Sequence, residues 1–303
     1  MQAEHRADEP RGLRLDAVAL ARTAARLSAA GAVPWLHGEA ARRMAERLPL
    51  VKLQPQRLLD WSGPLGGSER LLRQVYPQAQ QQHVLVDGLP HGATPRGGSA
   101  RWRLWRRAER EAVAAAAVAP GAAQLLWSNM LLHACDDPAP LLAQWQRALA
   151  TGGFLMFSTL GPGSLPELRE IYRDEGWGDP LVPCIDMHDL GDMLVHAGFA
   201  DPVMDQEQLT LTWPDADALL RELRGLGANL SPRRHPGLRT PRWRQRLVAA
   251  LGARAADGRP RLSFELVYGH AFKAAPRTLV QAEAKVSLEE MRAQLRHGKP
   301  APT

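Results

Sequence analysis

Apolar positions between Leu15 and Leu48 recur at helical spacing, with one break at "GAVP", Gly31 to Pro34, and so predict two helices. Beyond Pro49 and Pro55 the pattern changes to short apolar runs. "RLLD", ending in Asp60, and "HVLVD", His83 to Asp87, predict buried strands, and "SERLLRQVYP" between them predicts a helix stopped by Pro77. "ARWRLWRRAEREAVAAAA" predicts a short strand and then an alanine-rich helix. "AAQLLWSN", Ala122 to Asn129, reads as another buried strand, "DPAPLLAQWQRALATGG" as a helix closed by Gly152 and Gly153, and "FLMFSTL" as the next strand. Alternation of this kind predicts an α/β fold, a doubly wound parallel sheet with helices on both faces.

The second half departs from simple alternation. "DMHDLGDMLVHAGF" predicts a helix with Asp186 or His188 near its start and Gly198 past its end, and "PVMDQEQLTLTW" is strand-like. A long helical insertion, Pro214 to about Gly258, precedes a final strand, "RLSFELVYGHAFKA". The organisation expected is a frayed N-terminus (1–14), a Rossmann-like domain (15–213), an arginine-rich helical cap (214–258), the last strand (259–275), and a C-terminal amphipathic helix and tail (276–303). No internal repeat is visible.

With 45% hydrophobic and 23% charged residues among 303, the chain can bury a large core. No apolar run approaches the roughly 20 residues that cross a bilayer, and the N-terminus has no basic start followed by an apolar core, so a soluble, cytoplasmic protein is expected. Cys135 and Cys184 stand far apart without a CxxC neighbour, which argues against a disulfide framework or a cysteine metal site and for packing roles. The net charge of +6 makes an acidic partner plausible without identifying one.

The chemistry concentrates where "RLLDWSGPLGGSERLL" runs from strand through a glycine-rich loop to a helix. In a doubly wound sheet such a loop lets backbone N–H groups approach a ligand beyond the strand ends, and an acid closing the second strand accepts from ribose hydroxyls. Asp60, Gly63, Gly66, Gly67 and Asp87 are therefore the candidate cofactor-binding residues. "LLWSNMLLHACDD", "STLGPGSLPELREIY", "DMHDLGDMLVHAGFADPVMD", "ALLRELRGLGAN" and "LSFELVYGHAFK" follow one another in an order that resembles the malonyl-acyl-carrier-protein O-methyltransferases of biotin synthesis, a class I S-adenosylmethionine-dependent family. The resemblance implies a class I methyltransferase sheet with a cap, S-adenosylmethionine as cofactor, and Asn129 and His133 lining the methyl-transfer crevice.

Three elements depart from that family's pattern. Its loop reads approximately D-L-G-C-G-T-G where this chain has D-W-S-G-P-L-G, so Ser62 and Pro64 replace two glycines, and proline can supply neither an N–H nor a positive φ. Leu27 in "RTAARL" stands where the family has a tyrosine that helps close the site. The family's acid near the adenine has only Glu109 or Glu111 as substitutes.

Between Arg221 and Arg246 there are eight arginines and one acid, Glu222. A solvated basic face is the simplest reading of such a run; the resemblance implies instead a surface that meets an acidic acyl carrier protein bearing a malonyl thioester, with Arg221, Arg224, Arg233, Arg234 and Arg239 as docking candidates. The leading reading is a methyltransferase acting on the malonyl carboxylate. The alternatives are a non-catalytic scaffold or regulator with a degenerate cofactor site, and an RNA-binding or RNA-modifying protein; no RNA-binding signature accompanies the arginines, which argues against nucleic acid as a partner.

Overall fold

The computed structural model describes residues 15–86, 112–255 and 257–275. Two helices, α1 (Ala17–Ala30) and α2 (Trp35–Ala45), lead into strand β1 (Arg57–Asp60), helix α3 (Glu69–Val75) and strand β2 (Gln80–Leu85). Strands β3 (Ala112–Ala114) and β4 (Ala123–Asn129), helix α4 (Pro138–Ala148) and the long strand β5 (Leu149–Leu160) follow. The chain continues through α5 (Pro166–Asp174), α6 (Met187–His196), β6 (Ala200–Thr212), α7 (Ala216–Leu226), α8 (Pro241–Ala253) and β7 (Arg261–Phe272).

The seven strands form one sheet in the order β3-β2-β1-β4-β5-β7-β6. Strands β1 to β5 pair in parallel, and β7 runs antiparallel between β5 and β6. The order reverses between β1 and β4, the position at which open α/β sheets leave a crevice beyond the strand ends.

Period-two alternation within the continuous apolar runs builds two cores. Leu125, Trp127, Phe154, Met156 and Phe264 face one side, where α2, α3, α5 and the two helices between β6 and β7 cover them. Leu126, Leu155, Phe157 and Val267 face the other, under α4 and α6. A parallel sheet buried on both faces needs apolar residues at every position, which is why these strands show no polar alternation in sequence.

Local signals explain most boundaries. Asp16, Asp137, Asp186 and Asp215 each cap a helix by accepting a backbone N–H. Gly31 ends α1 in the left-handed conformation, with φ of 60°, and Gly198 follows α6 at φ of 88°. His188 and Asp189 lie exposed in the first turn of α6, and Asp186 is its cap.

Two expectations are corrected. The alanine run forms no helix in its described part: Ala112–Ala114 pair with β2 as strand β3, and Ala115–Ala117 make a single 3-10 turn before Pro120 and Gly121. Edge pairing of Val113 with Val84 outcompetes a helix too short to propagate. Gly152 and Gly153 do not close α4, which ends at Ala148; they lie inside β5, where the register against β4 shifts. A Cβ on Gly153 would come within 2.8 Å of the Gln124 carbonyl, so the close approach of β4 explains the glycine. Residues 101–111, with Trp102, Trp105, Glu109 and Glu111, and the C-terminal helix expected within 276–303 lie outside the described residues.

Both cysteines are packing residues. Cys135 belongs to the core under α4, Cys184 packs against the opposite one, and burial pushes their thiols up to about 11 and about 12. Only thiolate reacts with disulfide reagents, so native protein at pH 8 is expected to react on the order of 100-fold more slowly than an exposed thiol and to release two equivalents on unfolding. Fast titration of either thiol in the folded chain would place it at the surface.

Candidate functional site

Beyond the ends of β1 and β4 the glycine-rich loop lies beneath the connection between α1 and α2. Gly63 adopts φ of 61° and ψ of −166°, a region essentially reserved for glycine, and Gly67 has φ of 70°. Between them Pro64–Gly66 form a 3-10 turn in which the Gly66 N–H donates to the Gly63 carbonyl and the Gly67 N–H to that of Pro64. A Cβ on Gly67 would lie 2.7 Å from Cγ1 of Val33, so the helix connection rests directly on the loop.

Asp60 closes β1 fully buried. Its Oδ1 accepts the Ser62 N–H at 3.0 Å, and its Oδ2 lies 3.5 Å from Nδ1 of the equally buried His83. Ser62 points its hydroxyl at the end of β4 and accepts the Asn129 N–H. Asn129 is fully enclosed, its carboxamide donating to the carbonyls of Gly66 (2.6 Å) and His37 (2.8 Å) and accepting from the Ser158 hydroxyl at 2.5 Å. Of the five residues proposed to hold a cofactor, Asp60, Gly63, Gly66 and Gly67 therefore surround one closed polar knot, and Asp87 lies outside the described residues.

Beside this knot, and sharing His37 with it, a cavity of about 370 Å³ opens between the sheet end and the cap. Leu27 and His37 of α1 and α2, Met130 and His133 after β4, Leu160 at the end of β5 and Leu165 beyond it, and Leu220, Arg224, Trp243 and Leu247 of the cap are among its walls. His133 reaches it, half-buried, with Nδ1 3.5 Å from the Thr159 hydroxyl; Asn129 does not. Leu27, in the position where a tyrosine was expected, makes this wall apolar.

The cap is tied to α1 at both ends. Arg234 pairs with Asp16 at 2.6 Å, and Arg26 donates to the carbonyls of Arg224 (2.5 Å) and Gly227 (2.6 Å) at the C-terminus of α7, where a cation also suits the helix dipole. Burial, and then the charge of Arg224, hold the Arg26 guanidinium below its ordinary value. The five docking candidates separate accordingly. Arg233 pairs with Asp179, Arg234 with Asp16, and Arg239 donates to the Trp177 carbonyl while lying over Trp243. Arg221 and Arg224 are exposed and form no ion pair among the described residues. Spacing in sequence carried no sign of this division, because every acid partner comes from a distant segment.

The sheet order and the capped crevice define the class I methyltransferase fold. A methyltransferase-class protein of Bacillus halodurans C-125, solved at 1.95 Å, superposes with a TM-score of 0.51 at 14% identity, over 77% of this chain and 100% of that one. Among curated proteins, the malonyl-acyl-carrier-protein O-methyltransferase of Gallionella capsiferriformans is 39% identical over 250 residues, 80% of this chain and 85% of the relative. That of Nitrosospira multiformis is 36% identical over 260 residues, 81% and 85% of the respective chains. The chain belongs to the malonyl-acyl-carrier-protein O-methyltransferase family. No family model matches it. No helix among the described residues is long and apolar enough to cross a membrane.

S-adenosylmethionine, which the sequence resemblance implied, does not fit the loop as it stands. The N–H groups of Gly66 and Gly67 are spent inside the 3-10 turn, and the side chains of Ser62 and Asn129 fill the gap between loop and β4.

Proposed function

We propose that this protein methylates the free carboxylate of a malonyl group carried as a thioester on an acyl carrier protein, in the cytoplasm. The observation that carries the reading is the relatives' coverage, since the match runs through the sheet and the cap alike and extends over 85% of the Gallionella chain. The capped cavity supports it: its volume of about 370 Å³ suits a short acyl group with part of a tether, and its apolar walls exclude water.

The protein's part in such a reaction is mainly positional. A malonyl carboxylate is ionised at neutral pH and needs no general base, so holding it in a fixed orientation in a dry cavity is the main requirement. In this reading Arg224 at the rim is the first cation the carboxylate meets, and Leu27, Leu160 and Phe264 keep the surroundings apolar. S-adenosylmethionine is the methyl donor implied.

The test is transfer of radiolabelled methyl from S-adenosylmethionine to malonyl-loaded carrier protein. Label should appear as a base-labile ester on the carrier, and unloaded carrier should remain unlabelled. Binding of the carrier without any transfer at millimolar donor would overturn the catalytic reading in favour of a non-catalytic scaffold.

A further inference from the structure

The knot beneath the α1–α2 connection has a role that neither the cavity nor the cap explains. Asn129 closes the end of β4, the central strand at the point where the sheet order reverses, and every polar atom of its carboxamide is committed: both N–H groups to carbonyls on the loop and on α2, and the oxygen to Ser158. Its backbone N–H goes to the Ser62 hydroxyl. A Cβ built on Gly66 would lie 2.3 Å from the Ser62 Cβ, so the serine side chain occupies the concave side of the turn, and the loop is folded onto it. His37 adds a third strut, with Nδ1 3.1 Å from the Leu65 carbonyl. Ser62, Ser158 and Asn129 are all completely buried.

We infer that Ser62 and Asn129 form a latch that holds the glycine loop shut, and that this latch, rather than the loss of glycines alone, sets the affinity of the chain for an adenosyl sulfur ligand. The inference rests on the methyl-transfer reading. For the loop to offer N–H groups outward, the 3-10 turn must open, which requires the Gly66 carbonyl to leave Asn129 and the Ser62 side chain to leave the turn. A site present only in a minor open state binds with an apparent affinity lowered by the population of that state. Serine supplies both halves of the closure, volume over Gly66 and an acceptor for Asn129. Glycine at the same position supplies neither.

The experiment is calorimetric titration of S-adenosylhomocysteine into the full chain and into the Ser62→Gly and Ser62→Ala variants, with far-ultraviolet circular dichroism to establish folding. Ser62→Gly is expected to bind at least about tenfold more tightly than the wild type, with Ser62→Ala between them. Equal or weaker binding by a folded Ser62→Gly protein, or no binding by any of the three, overturns the latch. In the wild type, the Asn129 side-chain amide resonances should shift on saturation with S-adenosylhomocysteine, because the bond donated to the Gly66 carbonyl must break; unchanged resonances in a saturated protein also overturn it. The outcome is independent of turnover. Tight binding by Ser62→Gly without methyl transfer leaves the latch standing and removes the proposed reaction, whereas transfer by the wild type with unaltered Ser62→Gly affinity does the reverse.

Discussion

Trp127→Ala is expected to lower the stability of the fold by about 3–5 kcal/mol, the range found when a buried large aromatic is truncated in a close-packed core. Trp127 is in β4, fully enclosed, beside Asp60 on β1 and Met156 on β5 in the strand register. Its indole N–H donates to the Ser68 hydroxyl at 2.6 Å, which ties the sheet to the residue that opens α3. Removing the ring leaves a cavity between sheet and helices and takes away the donor to the Ser68 hydroxyl, which keeps only its bond to the Gly66 carbonyl. For a chain of this size the loss corresponds to a fall in melting temperature of roughly 6–20 °C in a thermal melt. Trp127→Phe, which keeps most of the volume and abandons the hydrogen bond, should cost about 1 kcal/mol beyond its packing loss. Trp35→Ala is the control: that ring is 46% exposed, and its loss should stay within about 0.5 kcal/mol. A shift of less than about 2 °C for Trp127→Ala would mean that β4 is not at the centre of the core.

That strand was plain in the sequence. "LLWSN" is apolar without alternation and bounded by polar turns, and a strand buried on both faces leaves that trace. The start of α6 was legible too, with Asp186 or His188 read near it and Asp186 found as the cap, since a cap acts within three residues of itself. What the sequence hid depends on distant segments. The alanine run chose an edge strand because β2 was there to pair with, and inside β5 Gly153 serves the approach of β4 while Gly152 takes a positive φ, neither of them ending α4. At the site, the glycine loop and its weakened positions could be recognised from Ser62 and Pro64. The closure itself could not, because Asn129, Ser158 and His37 lie 67, 96 and 25 positions from Ser62, and Asn129 meets Ser62, Ser158 and His37 only when β4, β5 and α2 assemble. Arginine-rich composition likewise announced a basic surface and could not say which cations remain available.

Which cations remain available governs the second large effect. Reversing the charge at Arg221 and Arg224 together should lower kcat/KM for a carrier-borne acyl substrate by about 10- to 100-fold at low salt, mainly through KM. Both side chains are exposed on α7, and neither is neutralised by an acid among the described residues. Arg224 also stands at the cavity rim, where its charge acts on Arg26. An acidic carrier approaching this rim would gain from both guanidiniums before its tether enters the cavity, so the loss should shrink as ionic strength rises and long-range attraction is screened. Arg234→Gln should behave differently, since that guanidinium is held by Asp16 and the Ser231 carbonyl and serves the tie between α1 and the cap. Its loss should change stability by no more than about 1 kcal/mol and leave the salt dependence of carrier use unaltered. A malonyl thioester of a short pantetheine analogue separates docking from chemistry, because it presents the same carboxylate without the acidic protein. If the double reversal impairs this small substrate as much as the carrier-borne one, Arg221 and Arg224 act inside the cavity rather than at its entrance. If RNA binds the wild type at low salt and the carrier does not, the basic cap belongs to a different partner altogether.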